Sequence, residues 1–406
     1  MNRILSDSVS QCPIIVFYIL PALLAQANCI PAAGRCGQSP KSLPAIDLCD
    51  LRPASKLNAA GQFFAASRPK LEQPLPGRKL QPHYSHPLFP RPAAMAKLIF
   101  GCGYLGLRVA RLWLAAGERV YAVTRTAERA AVLAAEGVEP IVSDVAAGGS
   151  PPLPQDVETV LWAVGFGRSR LPGGTLSAEK TGASDTDARS GSASPTYPIH
   201  DLYVGGLASA VIALPATVRR FIYISSTGVY GQVTGDEVDE DSPCEPTRGG
   251  GRATLAAENG LRTGPLANRT IIVRLAGLYG PGRIPRSKEL LAGEPIDAPS
   301  KGWLNLIHVE DAARIVLLAE AKAPLPSLYV VSDGQPVERA DYYRELARLL
   351  GAPPPRFIEP PAGSPARERA GSNKRVNPRR LFAELGPTLA YPSYREGLAA
   401  IVASGQ

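Results

Sequence analysis

The sequence predicts an α/β fold, a doubly wound parallel sheet with a smaller C-terminal substrate lobe, and three observations carry the prediction. Short apolar runs alternate with helical patterns from residue 97 to residue 275. The first run gives way to Gly101-Cys102-Gly103-Tyr104-Leu105-Gly106, a glycine turn that opens a helix. Small or polar residues end the runs, as a ligand lying at the carboxyl ends of parallel strands requires.

Residues 97–100 are the first strand. Leu105, Val109, Leu112 and Ala116 then recur at helical spacing until Gly117 stops the helix. Residues 119–124 form a second strand, which places the glycines in the strand–turn–helix–strand context of a Rossmann-type dinucleotide site. Gly101 allows the tight turn, Gly103 admits a pyrophosphate to the backbone, and Gly106 lets helix and strand pack closely. Tyr104 and Leu105 complete the expected cradle, where the N–H groups and positive dipole end of the helix favour an anion.

The second strand ends in Thr124-Arg125, nineteen residues past Gly106. An acidic residue there would hold a ribose 2′-OH, whereas a guanidinium fork suits a 2′-phosphate, with Arg129 assisting. NADP is therefore the expected cofactor and NAD the alternative. Residues 138–142 are the third strand, and Asp144 beyond it either accepts a hydrogen bond from an adenine amino group or forms a turn. Residues 157–164 are the fourth strand, with Ala163 beside the cofactor; 220–225 are the fifth and 270–275 the sixth.

The stretch before Met95 has a different character. Prolines from Pro13 to Pro92 crowd it, no period is sustained, and it holds Cys12, Cys29, Cys36 and Cys49, whose spacing fits no metal pattern. An apolar run ending near Leu24, followed by Ala25-Gln26-Ala27, imitates a secretory signal, but Arg3 is the one basic residue ahead of it and Asp7 offsets its charge. The run is also short of the ~20 residues that span a bilayer. The expectation adopted is that residues 1–94 are an upstream extension and that translation opens at Met95; a genuine leader is the alternative. Residues 168–195, rich in Ser, Gly, Ala and Thr, are expected to be a disordered insertion. A net charge of +8 comes with scattered arginines and no basic run interleaved with aromatics, which argues against a nucleic-acid partner. A cytoplasmic location with no metal and no membrane span is expected.

Later motifs narrow the reading. Residues 221–231 run Phe-Ile-Tyr-Ile-Ser-Ser-Thr-Gly-Val-Tyr-Gly, and the sixth strand leads into Ala276-Gly277-Leu278-Tyr279-Gly280-Pro281-Gly282. With the glycine turn, these resemble the extended short-chain dehydrogenase/reductase superfamily, of the NAD(P)-dependent epimerase/dehydratase type. Asn305-Leu306-Ile307-His308-Val309-Glu310-Asp311 is similar to that family's N-x-I-H-V-x-D block. Asn373-Lys374-Arg375 and Tyr391-Pro392-Ser393-Tyr394 resemble an atypical bacterial subgroup. The resemblance implies a nucleotide domain over residues 95–281. Residues 282–406 would form a substrate lobe mixed with returning elements of that domain, the lobe itself drawn mainly from 283–302 and from 325 onward. It also implies a small-molecule substrate such as a nucleotide sugar, with a homodimer left open.

In that family a Ser or Thr three residues before the Val-Tyr-Gly valine orients the substrate. Here it is Ser226, able to donate to a carbonyl oxygen as hydride arrives. The family's proton carrier is a tyrosine four residues before a lysine. Counting back from Glu258, those positions hold Gly250 and Thr254, and neither can supply the missing group. Tyr230 and Tyr279 are the candidate surrogates; both otherwise pack beneath the cofactor. His308 is either a site residue or a structural one, and Lys374 with Arg375 either meets an anionic substrate group or forms a solvated charge run. Two function classes follow. One is an oxidoreductase or epimerase acting on a hydroxyl or carbonyl, and the other is a non-catalytic NADP(H)-binding sensor or scaffold.

Overall fold

Apolar residues that alternate along each central strand are buried on both sides, which requires helices on both faces of the sheet. The computed structural model describes residues 95–147, 152–165, 201–361, 363–364, 367 and 371–405; the expectations for 1–94 and 168–195 lie outside the described residues. Seven strands build the main sheet: Ala96–Phe100 (β1), Val120–Thr124 (β2), Glu139–Val142 (β3), Val157–Trp162 (β4), Arg220–Ser226 (β5), Thr270–Leu275 (β6) and Ser327–Val331 (β7). They stand in the order β7-β6-β5-β4-β1-β2-β3 and every pairing is parallel. The order reverses beside β1, so the switch point opens at the carboxyl ends of β1 and β4.

Six strands lie where the apolar runs predict them. β4 ends at Trp162 rather than at residue 164, because from Ala163 the backbone passes directly over Gly101. The seventh, Ser327–Val331, falls in the stretch expected to build the smaller lobe, yet it pairs along β6 at the edge of the main sheet.

Ile99 faces one core with Val109 and Trp113 of α1 (Gly106–Ala115), Leu133 of α2 (Ala127–Ala135) and a helix over Val309–Lys322. Leu98 and Phe100 face the other, with Leu207 and Ala210 of α3 (Gly206–Ala213) and Ala257 and Leu261 of α4 (Gly249–Thr263). Each large apolar side chain buried this way contributes about 1.5–3 kcal/mol. The Val309–Lys322 helix is labelled α5.

A separate core gathers Tyr279, Leu290, Ile296 and Leu306 with Tyr342 and Leu346 of the helix Arg339–Leu350 and Leu398 and Ile401 of the helix Tyr394–Ala403. Short strand pairs tie this region to the sheet: Gly277–Tyr279 with Leu306–His308, and Asp236–Val238 with Lys374–Val376, both parallel. Among the described residues no helix is long and apolar enough to cross a membrane.

Candidate nucleotide and substrate site

The glycine turn follows β1 as the spacing predicts, and two of its glycines are demanded by the backbone. Gly101 has φ +84°, and a methyl there would stand 2.6 Å from the Ala163 carbonyl. A methyl on Gly106 would stand 2.5 Å from the Gly101 carbonyl oxygen. Gly103 differs: it is exposed, and a Cβ there would meet nothing within 4 Å. The free space lies where a pyrophosphate would approach the start of α1, so the turn fits the group its motif implies.

Tyr104 faces away from that space. Its hydroxyl donates to the Pro281 carbonyl at 3.1 Å, and Arg108 and Arg283 lie over its ring at 4.4 and 5.3 Å. Burial pushes its pKa up to about 12. Leu105 is buried against the α1 core. The turn is thereby fastened to the loop after β6, the second strand-end motif singled out in the sequence.

At the end of β2, Arg125 is exposed and Thr124 half-buried. Arg129 reaches back from α2 to donate to the Cys102 carbonyl at 2.8 Å, which sets its guanidinium against the glycine turn. Asp144 takes the turn-forming role, its Oδ1 accepting from the Ala146 N–H at 3.0 Å.

Ser226 ends β5 on the same side of the sheet. It is exposed, and its Oγ accepts from the Gly228 N–H at 3.0 Å, leaving its own hydrogen to donate outward. The helix start beside it is bare of the expected relay. Gly250 lies in the first turn of α4, and Thr254, 5% exposed, donates its hydroxyl back to the Gly250 carbonyl at 2.8 Å.

The family model for NAD dependent epimerases/dehydratases matches residues 183–332. Over that stretch the chain is similar to this family. Protein YeeZ of Escherichia coli strain K12 is 34% identical over 181 residues, which are 44% of this chain and 61% of YeeZ, so the chain spans 61% of the length of that curated relative. A conserved protein of unknown function from Silicibacter pomeroyi DSS is 30% identical with a TM-score of 0.61, covering 76% of this chain and 98% of that one. A UDP-glucuronic acid 4-epimerase of Bacillus cereus, solved with UDP-4-deoxy-4-fluoro-glucuronic acid and NAD, is 16% identical with a TM-score of 0.57, covering 77% of this chain and 100% of that one. At that identity the likeness speaks for the fold alone.

Tyr230 is a correction to the sequence reading. Its hydroxyl donates to the Asp239 carbonyl at 2.5 Å and accepts from Arg274 Nη1 at 2.8 Å, and the residue is 2% exposed. Burial holds its pKa well above that of a free phenol, against the opposing pull of Arg274. A phenol engaged on both sides and closed off from the cleft has no proton to relay. Behind it, Arg274 grips the fully buried Glu258 through Nε at 3.0 Å and Nη2 at 2.7 Å, and Ser225 donates to the same carboxylate. Tyr279 is spent similarly, donating to the Ser393 carbonyl at 3.3 Å from a 1% exposed position.

The N-x-I-H-V-x-D block proves to be a clamp for both C-terminal motifs. Asn305 donates to the Lys374 carbonyl at 2.9 Å and accepts from the Val376 N–H at 2.7 Å. Asp311 accepts from the Ala390 and Tyr391 N–H groups, each at 2.9 Å. His308 caps α5, its Nδ1 accepting from the Glu310 N–H at 3.3 Å, which leaves the proton on Nε2. The ring stacks on Tyr391 with centroids 3.8 Å apart, and burial lowers its pKa against the pull of Asp311. It is a structural histidine.

Sequence reasoning missed Arg248 and left Lys374 open between two roles. Arg248 directly precedes α4, with its Nη2 3.7 Å from where a Cβ of Gly228 would stand. Lys374 is no solvated charge: it is 5% exposed and donates to the Tyr230 carbonyl at 3.0 Å. Arg375, its neighbour, turns away to the Gly235 carbonyl and the ring of Trp303.

Proposed function

We propose that this chain is a nicotinamide-dependent oxidoreductase or epimerase acting on a hydroxyl or carbonyl of a small substrate such as a nucleotide sugar. The observation that carries the reading is the open glycine turn after β1 with the outward-facing Ser226 on the same edge of the sheet, β4 alone between their strands. A bound nicotinamide supplies or accepts hydride. The backbone from Gly101 to Gly106 receives the pyrophosphate, and Ala163 walls the cradle. Arg125, with Arg129 already set against the turn, favours a 2′-phosphate, so NADP(H) is the preferred cofactor over NAD(H). Ser226 donates to the substrate oxygen, stabilising negative charge as it develops. The Bacillus cereus protein, solved with a UDP-sugar and NAD, shows that the shared fold can accommodate such a pair of ligands.

A second reading, a binder without turnover, is favoured by one observation: Gly250 and Thr254 occupy the positions of the family's proton relay. A panel of sugar nucleotides and small carbonyls, followed by NADPH and NADH oxidation and by product analysis, separates the two. The enzyme reading expects turnover with at least one member and a loss of about 10²-fold or more in Ser226→Ala, the scale of a lost oxyanion donor. Cofactor binding without turnover across the panel, or turnover indifferent to Ser226→Ala, would decide against it.

A further inference from the structure

Three side chains from distant parts of the chain converge on the turn at residues 226–230. Ser226 Oγ lies 3.2 Å, and Arg248 Nη2 3.7 Å, from the point a Cβ of Gly228 would occupy. Lys374 arrives from the C-terminal strand and spends two of its three N–H groups on the Tyr230 carbonyl, at 3.0 Å, and the Ser372 hydroxyl, at 2.7 Å. Its strand is held by Asn305 and by pairing with Asp236–Val238, so the ammonium is fixed in place. The acidic groups of that partner strand are committed elsewhere, Asp236 to Thr234 and Glu237 to Asn377.

The arrangement lacks a counter-charge among the described residues. Among the described residues, the charged group near enough to perturb Lys374 is another cation, Arg248. Burying an ammonium costs several kcal/mol unless an opposite charge compensates it, and a neighbouring guanidinium adds to that cost. Burial first, and then Arg248, lower the Lys374 pKa to about 8, so the cationic form still predominates at pH 7. The first residues of α4, Gly249-Gly250-Gly251, add no side chain of their own there, and Gly251 packs against the Gly228 carbonyl.

We propose that Arg248 and Lys374 form, beside Ser226, a receiving site for an oxyanion of the substrate, a carboxylate or a phosphate. The inference rests on the proposed function in one respect, that the anion belongs to the molecule whose oxygen Ser226 contacts. The two cations orient that molecule at the place where the family's tyrosine and lysine are absent. An incoming oxyanion takes the remaining N–H of Lys374 and a fork of Arg248, and it restores charge balance to a buried ammonium.

Isothermal titration of the intact chain, with and without saturating NADP⁺, tests the proposal. Oxalate serves as the carboxylate probe and inorganic phosphate as the phosphate probe. With nucleotide occupying the glycine turn, at least one probe is expected to bind saturably, and the stronger of the two names the source of the anion. Affinity should fall at least tenfold in Lys374→Met and in Arg248→Gln and stay unchanged in Arg375→Met, whose guanidinium points to Trp303. Arg248 is only half-buried, so its variant remains informative if Lys374→Met folds poorly. Cofactor affinity is read in the same samples, and its absence counts against the proposed function alone. No saturable binding of either anion, or equal affinity in the wild type and the Lys374 and Arg248 variants, overturns the site.

Discussion

Glu258 is fully buried between Ser225 and Arg274, and removing it leaves a guanidinium in the core without its counter-charge. Glu258→Ala should therefore lose roughly 3–5 kcal/mol in urea unfolding, the usual cost of breaking a buried pair from one side. Tyr230→Phe removes one acceptor from Arg274 and should cost about 1–3 kcal/mol. Because that phenol is closed off from the cleft, the same variant should keep cofactor affinity within about twofold. A large loss of affinity at unchanged stability would return Tyr230 to the site. Asp333, 6% exposed just beyond β7, accepts from the Gln335 N–H at 2.9 Å through Oδ1, and burial raises its pKa to about 7. Its folded pKa exceeds the unfolded value, so the folded state holds the proton more tightly and loses stability as pH rises from about 4 to about 7. Asp333→Asn should remove that slope. It should match the wild type near pH 4 and exceed it by about 1–2 kcal/mol near pH 8, measured by urea unfolding across pH. A variant less stable at pH 8 than the wild type would contradict the assignment.

Between residue and fold, the elements were legible where a continuous apolar run or a helical period marked them. β1, β2, β4, β5 and β6 pack on both faces, so their apolar runs are continuous and announce themselves, while the edge strand β3 was readable from its place after α2. β7 lies at the sheet edge just after α5, and its five residues give no period of their own; only pairing along β6 identifies it. The glycine turn was readable because Gly101 and Gly106 meet backbone constraints that no other residue satisfies. Arg248 and Lys374 were not, since tertiary pairing of Lys374–Val376 with Asp236–Val238 brings them together and sequence spacing carries no trace of it. Asn305 is the hinge of that pairing. Asn305→Ala takes two hydrogen bonds from the 374–376 strand and should cost about 1–3 kcal/mol. Hydrogen exchange should also quicken across 374–376 while β1 to β6 stay protected. Uniform loss of protection over the sheet would mean that Asn305 supports the whole fold rather than this strand.

At the scale of the molecule, one continuous sheet brings both proposed sites to its carboxyl edge. The cradle after β1 is built from backbone and empty space, whereas the groups around Ser226 are polar side chains, Lys374 buried and Arg248 half-buried. The first part is a requirement of geometry and survives in the sequence as glycine. The second is a requirement of charge, met by residues from opposite ends of the domain, and it departs from the family's tyrosine and lysine. The reading of the whole chain hangs on the cradle taking a dinucleotide. Gly103 offers the most direct test, because a Cβ there meets nothing within 4 Å and its addition leaves the fold undisturbed. In fluorescence titrations of the intact chain with NADPH and NADH, the wild type should show saturable enhancement, stronger for NADPH. Gly103→Ala should bind at least tenfold more weakly with its Tm unchanged; no saturable binding in the wild type, or equal affinity in the variant, would contradict the account.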